Sequence, residues 1–389
     1  MAIRARRRLA FSGAAGVDPA ASAVSVATFG AVGNGTTNDT TAIRNAFASL
    51  TNGGAIKFEP NQTYIINGFI NITGKTNVTI YGQNATIKAQ DGMSTVSGTI
   101  MLIVDAGSNV TIRDLTVDGN RANRSPIEAW IHNFIIRDTK GYTLNNCHSN
   151  NSPCDGFYID ASDMADTATY ATNGVMRNCT ANNNYRQGLS MINGHGLQVI
   201  GGSYNNTNGT WPKAGIDLEA DPGSASPSIS DVLVHGVTFS GNDGYGIMAT
   251  NVGNPTNIII ERCYLSDNAL GATQLDTNGA IFRNNMIENY SRTTTGFLAG
   301  TRGIIDLPAA GYVQNNLVQG NTIRNITTGA GTYCLYIHSV AGSGNQFLDN
   351  CLQDYNNTAI GNFSATATFT NNSTNPAGGC PVRPTTPTI

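Results

Sequence analysis

The sequence predicts an all-β fold, a right-handed parallel β-helix with a short capping helix at its N-terminal end. Between residues 77 and 372 one pattern recurs about ten times, a short apolar alternation followed by Asn or Gly and a second apolar run. Equivalent apolar positions, such as Val175 and Leu197 or Ile258 and Ile281, lie roughly 22 to 26 residues apart. That period fits one turn of a solenoid, and the alternation with period two indicates strands rather than helices.

The composition agrees with turn-rich β structure. The chain has 389 residues, of which 44 are glycine and only 12% are charged. Its net charge of −3 gives no general attraction to nucleic acid or to an acidic membrane. No apolar run approaches the ~18 residues that a membrane span requires. We therefore expect neither a nucleic acid nor a membrane as partner.

The seven cysteines predict no metal site and no complete disulfide framework. They are odd in number and lack metal-binding spacing. Four of them occupy equivalent positions in the repeats, namely Cys147, Cys179, Cys263 and Cys351. Cysteine behaves as a small apolar side chain, so we expect buried free thiols stacked inside the coil.

Four segments are predicted along the chain. Residues 1–25 form an arginine-rich basic arm that anchors the protein to a partner, with an export signal as the alternative. Residues 26–76 form the N-terminal cap, residues 77–374 the β-helix, and residues 375–389 an extended C-terminal arm. Within the cap, Asn38 or Asp39 is predicted to start a helix.

That helix would carry an apolar stripe formed by Ile43, Ala46, Phe47 and Leu50. The surrounding segment, FGAVGNGTTNDTTAIRNAFASLTNGGAIKFEPNQTY, resembles the opening of the pectate-lyase-like β-helix superfamily. The resemblance implies the fold and an extended glycan ligand. It does not specify the reaction, because the superfamily includes lyases, hydrolases, uronan epimerases and bacteriophage tailspikes.

Glycines opening successive strands indicate where chemistry could occur; they are Gly156, Gly188, Gly215, Gly246, Gly271 and Gly303. Strand side chains alternate, so the second and fourth residues after each glycine are predicted to face solvent. This puts three candidate catalytic carboxylates, Asp160, Asp217 and Glu219, on one face. Tyr158 and Ser190 would contact substrate there.

Spacing suggests a role for these carboxylates. Residues two apart on a strand are about 6.6 Å apart, so Asp217 and Glu219 fit the ~6.5–9.5 Å separation of an inverting glycosidase. Asp160 and Glu219, two coils apart, would also approach that range. The alternatives are a structural Ca²⁺ cluster together with Asp221, or carboxylates that are merely solvated.

Loops entering the same strands supply further candidate substrate contacts. Asp155, Arg186 and Gln187 immediately precede strands, and an arginine suits bidentate contact with an acidic sugar. Trp211 would stack on a pyranose ring, and Lys213 follows it closely. Arg186 or Lys213 could also act as the base of an elimination, so a lyase stays open.

We interpret the sequence as a tailspike-like, receptor-binding depolymerase that cleaves host surface polysaccharide, with glycoside hydrolysis favoured over β-elimination. Resemblance to tailspikes implies a homotrimer in the virion, attached to the tail or to an adaptor protein through residues 1–25. No cofactor is expected, although Ca²⁺ would suit the carboxylates. The alternatives are a secreted lyase or epimerase acting on uronans, and a non-catalytic glycan-binding adhesion protein.

Overall fold

A computed structural model of the protein describes residues 20–93, 101–124, 131–292, 303–308, 312–328, 333–355, 359–362 and 364–374. Its strands pair in parallel, each with the strand one coil later, and wind into a right-handed β-helix. The fold class predicted from the repeats is confirmed. Most of the predicted N-terminal arm and all of the C-terminal arm lie outside the described residues.

One long sheet carries the candidate site and is called the site sheet. Its eleven described strands are Ile70–Thr73, Leu102–Asp105, Phe134–Arg137, Phe157–Asp160, Leu189–Met191, Ile216–Leu218, Tyr245–Ala249, Gly271–Leu275, Gly303–Leu307, Tyr333–Ile337 and Ile360–Asn362.

The remaining strands form the sheet that closes the coil on its other sides. They are Val24–Ser25, Asn34–Asn38, Ala55–Lys57, Thr63–Ile66, Thr76–Ala89, Ser108–Asp118, Lys140–Asn145, His148–Asn150, Ala171–Arg177, Thr180–Asn182, Gly194–His195, Gln198–Ile200, Ser203–Asn205, Ile229–His235, Thr238–Ser240, Thr256–Glu261, Tyr264–Ser266, Ile281–Arg283, Met286–Arg292, Leu317–Gln319, Thr322–Thr328, Gln346–Leu348, Cys351–Tyr355, Thr368–Thr370 and Ser373–Thr374.

The capping helix spans Thr40–Ser49 and buries Ile43, Ala46 and Phe47, as the apolar stripe predicted. Short 3₁₀ turns occupy Val26–Phe29, Arg121–Asn123 and Thr167–Thr169. Of the two predicted capping residues, Asn38 accepts the N–H of Thr40 through its side-chain oxygen over 3.1 Å. The Asp39 carboxylate accepts instead from the N–H groups of Val32 and Gly33, over 2.7 and 3.0 Å. The β-helix also begins within the predicted arm, since Val24–Ser25 pairs with the strand Ala55–Lys57.

Two of the sequence matches between coils were wrong by one residue. Val175 pairs with Gln198 rather than with Leu197, and Ile281 pairs with Ile259 rather than with Ile258. Both errors arise at left-handed residues, for example Asn173 and Asn257, where the chain turns. Such residues change the facing of the strand in a way that a simple alternation does not reveal.

The core is a single continuous apolar column inside the coil. Aromatic rings stack between coils, as Phe134 does on Phe157 with centroids 4.9 Å apart. Five buried cysteines are free thiols, as predicted: Cys147, Cys154, Cys179, Cys263 and Cys334. Cys351 is an exception to the prediction, because it forms a disulfide.

Buried asparagines form ladders from coil to coil. In one ladder Asn285 donates to Asn321 and Asn321 donates to Asn350, over 3.0 and 2.9 Å. Each side-chain oxygen also accepts the backbone N–H of the preceding asparagine in the ladder. These bonds satisfy polar groups that would otherwise be buried without partners.

Candidate active site

The outer face of the site sheet carries one side chain per coil in a row that we call the outer row. Pairing register defines it as Ile103, Ile135, Tyr158, Ser190, Asp217, Met248, Gln274 and Asp306. The neighbours of these residues along each strand, such as Ile216 and Leu218, belong to the core. Alternation therefore directs the outer row away from the core.

The outer row is not solvent-exposed, which corrects the expectation of an open face. Ser190 has no exposed surface, Asp217 is 1% exposed and Tyr158 is 6% exposed. Glu219 is half-buried. Carboxyl groups placed here are removed from water, and this desolvation dominates their protonation.

A stack of glycines explains how the chain enters the site sheet. A Cβ atom on Gly156 would lie 2.6 Å from the carbonyl oxygen of Gly188, and one on Gly188 would lie 2.4 Å from that of Gly215. A Cβ atom on Gly215 would similarly lie 2.6 Å from Gly246. Side chains are therefore excluded where neighbouring coils bend together, which is why glycine marks these strands in the sequence.

The later part of the glycine alignment was wrong by one residue. Gly246 stacks on Ala272, not on Gly271, and Met248 pairs with Gln274. The outward position predicted for Thr273 therefore belongs to Gln274. By the same shift the buried carboxyl group of Asp306 joins the outer row, which the sequence reasoning missed.

Asp155 forms the centre of one polar cluster. Its Oδ2 atom accepts hydrogen bonds from Arg186 Nη1 and Ser190 Oγ, each over 3.1 Å. Asp155 has no exposed surface, and burial raises its pKa to about 6 against the lowering effect of Arg186. The sequence predicted all three residues as substrate contacts, and the structure brings them together.

His132, which lies one coil earlier, extends this cluster. Its Nδ1 atom is 3.4 Å from Asp155 Oδ2, and its ring stacks on Tyr158 with centroids 4.0 Å apart. Burial, with smaller effects of Arg186 and Arg137, lowers the pKa of His132 to about 3. The imidazole is therefore neutral at physiological pH. Burial also raises the pKa of Tyr158, so its phenol stays protonated.

A second polar cluster contains two of the predicted catalytic carboxylates. Asp217 and Glu219 lie close enough for the charge of Glu219 to affect the ionisation of Asp217. Burial raises the pKa of Asp217 well above its ordinary value, and Glu219 raises it further. Burial also raises the pKa of Glu219, against the effect of Arg186. Two carboxyl groups that interact in this way do not ionise independently, because the first negative charge opposes the second.

Gln187 connects the carboxyl pair to the backbone of the next coil. Its Nε2 atom donates to Asp217 Oδ2 over 2.7 Å, and its Oε1 atom accepts the N–H of Ala214, also over 2.7 Å. None of these three residues is more than 1% exposed. Gln187 was predicted as a substrate contact, but its amide is fully engaged within the protein.

Asp160, the third predicted catalytic residue, is held by Arg137. Burial raises the pKa of Asp160 to about 6, and the hydrogen bonds from Arg137 oppose this rise. Arg137 pairs in register with Asp160 on one side and with Asp105 on the other. Sequence reasoning missed Arg137. Its signal is that Asp105, Arg137 and Asp160 occupy the same position in three successive coils, which is visible only once the register is known.

The remaining predicted contacts lie in the loop that enters the strand Ile216–Leu218. Lys213 Nζ is 3.5 Å from Asp243 Oδ2, so this cation already has an acidic partner. Trp211 is 46% exposed and precedes Pro212 in a cis peptide bond. Of the ten predicted residues, Trp211 presents the most open apolar surface.

Two sets of residues could bind a metal ion. The ligand atoms of His132, Cys154 and Asp155 all lie within 4.8 Å of one another. Their nitrogen and sulfur donors suit a transition metal rather than Ca²⁺, but the guanidinium of Arg186 on Asp155 opposes a second cation there. For Ca²⁺, which prefers oxygen ligands, the candidates are Glu219 and the nearby Asp221.

The chain is a parallel β-helix whose site sheet carries a carboxyl-rich outer face. No family model matches the chain. In sequence it is 27% identical over 259 residues to mannuronan C5-epimerase AlgE1 of Azotobacter vinelandii, which covers 56% of this chain and 18% of that enzyme. It is 28% identical over 203 residues to AlgE5 of the same organism, covering 42% of this chain and 20% of the relative. The matched part is thus a minor share of the relatives' length.

Solved structures show the same fold. The A-module of the A. vinelandii mannuronan C5-epimerase AlgE6 superposes with a TM-score of 0.65 at 18% identity, covering 92% of this chain and all of that one. PfbA, a surface adhesin of Streptococcus pneumoniae, gives 0.57 at 12% identity, with 91% and 93% covered. Pre-mature gene product 12 of bacteriophage phi29 gives 0.55 at 16% identity, with 90% and 52% covered.

The chain therefore has a right-handed β-helix fold, as the resemblance of its N-terminal segment implied. The phage protein is one structural neighbour among several, and it has a lower TM-score than the epimerase module. Among the described residues, no helix has the length and hydrophobicity needed to cross a membrane.

Proposed function

We propose that the chain is a polysaccharide-modifying enzyme that acts on uronate-containing glycans by proton transfer at C5. The observation that supports this most is the group of buried carboxyl groups around Arg186: Asp155 accepts from its guanidinium over 3.1 Å, and the charge of Arg186 acts on Asp217 and Glu219. The sequence relatives, whose names give them as mannuronan C5-epimerases, support a uronan as substrate.

Charge supports an acidic substrate. Four buried or half-buried carboxyl groups would repel a uronate if all were ionised. Burial raises the pKa of each, namely Asp155, Asp160, Asp217 and Glu219. At neutral pH the charges of Asp155 and Asp160 are offset by their partners Arg186 and Arg137, and a carboxyl group that stays protonated can donate a hydrogen bond to the substrate carboxylate.

In the reaction, Glu219 acts as the base. The C5–H bond breaks, its proton moves to the Glu219 carboxylate, and the electron pair delocalises into the substrate carboxylate. Arg186 would stabilise that developing charge. Protonation of the opposite face of C5 by water, with Glu219 then releasing its proton to solvent, gives epimerisation. Cleavage of the C4–O4 bond, with formation of the C4–C5 double bond and transfer of the proton from Glu219 to the departing oxygen, gives elimination.

Glycoside hydrolysis is the second candidate, with Asp160 and Glu219 as acid and base. Ile159 precedes Asp160 and Leu218 precedes Glu219, and both Ile159 and Leu218 pair with Met191. Asp160 and Glu219 therefore lie two coils apart. Two coils correspond to about 9.6 Å, at the upper end of the inverting range. Under this second candidate function, we propose that the chain is a tailspike-like depolymerase. Its attachment to a virion through residues 1–25 and its trimeric state are part of the same proposal. The phage neighbour supports its fold alone.

One assay separates these reactions. The protein is incubated in deuterated buffer with polymannuronate, polygalacturonate and neutral bacterial capsules. Proton NMR at C5, the ultraviolet absorbance of unsaturated uronates and reducing ends are followed together. Deuterium at C5, absorbance of unsaturated uronates, or both support the proposed chemistry, and Glu219→Gln should abolish them. New reducing ends with neither C5 exchange nor absorbance would favour hydrolysis instead. Glycan binding with no product in any channel would favour an adhesion role, which the PfbA fold also permits.

A further inference from the structure

We propose that Arg121 binds a carboxylate of an acidic glycan, at the edge of the site sheet where its strands begin. The substrate class rests on the proposed function, whereas the charge and position of Arg121 are properties of the chain itself. Arg121 lies in the short turn Arg121–Asn123 and was not among the site residues predicted from the sequence.

Three side chains in the loops that enter the site sheet surround the guanidinium of Arg121. Its Nη2 atom donates to Asn183 Oδ1 over 2.6 Å and also donates to Asn208 Oδ1. Its Cζ atom lies 5.9 Å from the centre of the Tyr185 ring. Asn208 belongs to the loop of Trp211, and Tyr185 belongs to the loop one coil earlier. Arg121 is therefore held beside the loop that carries the most open aromatic side chain of the candidate site.

The charge of Arg121 has no carboxylate partner within ion-pair distance among the described residues. The other cations of the candidate site each have one; the pairs are Arg186 with Asp155, Arg137 with Asp160 and Lys213 with Asp243. Burial lowers the pKa of Arg121, and the opposing effect comes from Tyr185 rather than from a carboxyl group. The two asparagines contribute only neutral amide oxygens, so the guanidinium keeps its full positive charge. A cation in this state favours a bound anion.

Asn208 is the route by which a ligand reaches Arg121. Its side chain is exposed, and its amide also donates to Asn183 Oδ1 over 3.2 Å at the surface, where water replaces the bond on rotation. The backbone beside it stays fixed, because a Cβ atom on Gly209 would lie 2.1 Å from the Tyr185 ring. A carboxylate that replaces the Asn208 oxygen forms a charge-assisted hydrogen bond, about twice as strong as a neutral one.

The distribution of charge across the site sheet agrees with this assignment. Asp105 and Asp160 are the last residues of their strands, and Glu219 directly follows its strand. Arg186 and Arg121 lie at the opposite edge, where the strands begin. Like charges repel, so an acidic glycan is expected to direct its carboxylates toward the two arginines.

Two variants test the site, both in a Glu219→Gln background so that the ligand is not consumed. Arg121→Gln removes the charge. Asn208→Asp gives the guanidinium a carboxylate of the protein's own, and because position 208 is exposed it serves if Arg121→Gln folds poorly. The matched controls make the same charge changes at exposed positions; they are Arg177→Gln and Asn206→Asp.

The readout is calorimetric titration with hexamers of mannuronate and of galacturonate, and with the same hexamers after reduction of their carboxyl groups to alcohols. We expect Arg121→Gln and Asn208→Asp each to weaken binding of an acidic hexamer about tenfold. Binding of the reduced hexamers should not change, and the controls should change Kd by less than about twofold.

A purely structural role for Arg121 gives different results. If it only ties the two loops together, Asn208→Asp strengthens that tie and leaves binding unchanged, which would overturn the proposal. Equal losses for the acidic and the reduced hexamers would also overturn it, as would the absence of binding to either acidic hexamer.

Failure of the proposed function is distinguishable from failure of this site. Selective loss of acidic-hexamer binding in Arg121→Gln, in a protein whose wild type gives neither C5 exchange nor unsaturated product, would refute the proposed chemistry and support the site. Exchange at C5 in the wild type, with hexamer binding unchanged in Arg121→Gln, would support the chemistry and refute the site.

Discussion

Arg137 holds both carboxylate oxygens of Asp160 from the strand one coil earlier. Its Nε atom lies 3.1 Å from each oxygen, and its Nη2 atom lies 2.6 Å from Oδ2. Asp160 is 8% exposed, so the contact lies largely out of solvent. This fork-shaped contact ties two coils of the site sheet together through their outward side chains.

Breaking this contact should destabilise the protein. Removing one partner of a largely buried ion pair leaves the other charge uncompensated. Because about a third of the Arg137 side chain is exposed, we expect Arg137→Gln to cost about 2 kcal/mol, less than a fully buried pair would. Chemical denaturation measures the change. The control, Arg113→Gln, breaks the more exposed contact of Arg113 with Asp114 and should cost under about 0.5 kcal/mol.

Glu219→Gln should remove turnover and preserve stability, because Glu219 is the proposed base and is only half-buried. We expect kcat to fall by about 10²- to 10⁴-fold while the melting temperature changes by a few degrees at most. Asp217→Asn should also preserve stability, because asparagine keeps an oxygen that can accept from Gln187. Asp217→Ala leaves the Gln187 donor without its acceptor and should cost about 2 kcal/mol. Equal stability of the alanine and asparagine variants would show that the Gln187 bond contributes nothing.

Stability should fall as pH rises through the range in which Asp276 ionises. Burial raises the pKa of Asp276 to about 6, above its ordinary value of 3.8. A carboxyl group with a raised folded-state pKa contributes stability at low pH, and that contribution is lost as pH rises from about 4 to about 6. Calorimetry should show a smaller loss of melting temperature across this window in Asp276→Asn. Asp267→Asn, at an exposed position, is the control and should follow the wild-type curve.

Trp211→Ala should weaken substrate binding without affecting the fold. The side chain is nearly half exposed, so little packing is lost on truncation. An aromatic contact with a sugar ring is worth about 1 kcal/mol, so we expect KM to rise about fivefold at constant kcat. Phe69→Ala removes a similarly exposed ring beside Arg44 near the capping helix and should leave KM unchanged.

Asn321→Ala should lower the stability of the protein, because it interrupts the asparagine ladder in its middle. The side chain accepts from the backbone and side chain of Asn285 and donates to Asn350. Truncation leaves several buried polar groups without partners, so we expect a loss of about 3 kcal/mol. Asn71→Ala removes an exposed asparagine on the site sheet and should cost under about 0.5 kcal/mol. Similar losses in the two variants would mean that the ladder bonds add nothing to stability.

The sequence predicted the coil, its cap and its glycine bends because each depends on local chemistry. Alternation identifies strands, and the close approach at Gly156 or Gly188 excludes every side chain. Contacts between coils were harder to foresee. Insertions change the length of each turn, so the partnership of Arg137 with Asp160, and the place of Asp306 in the outer row, required the actual register.

Burial of the outer row was also unpredictable from alternation. A period of two says which side chains leave the core, but not whether other parts of the chain cover them. Asp217 was therefore expected in water, where its carboxylate would simply be ionised. Asp217 is only 1% exposed, and this burial raises the pKa of its carboxyl group well above the ordinary value.

The glycine stack has a consequence for how this protein can vary. At each bend the backbone of the next coil lies within contact distance, so the bends repeat as similar units. Removing one whole coil after Gly246 would preserve the bends at Gly156, Gly188 and Gly215 together with the coil of Asp217 and Glu219. Removing the coil between Gly188 and Gly215 would instead take away Ala214, and Gln187 would meet a different backbone. We therefore expect the number of coils to vary toward the C-terminal end of the β-helix. The two coils that the hydrogen bond between Gln187 and Ala214 joins should be kept together.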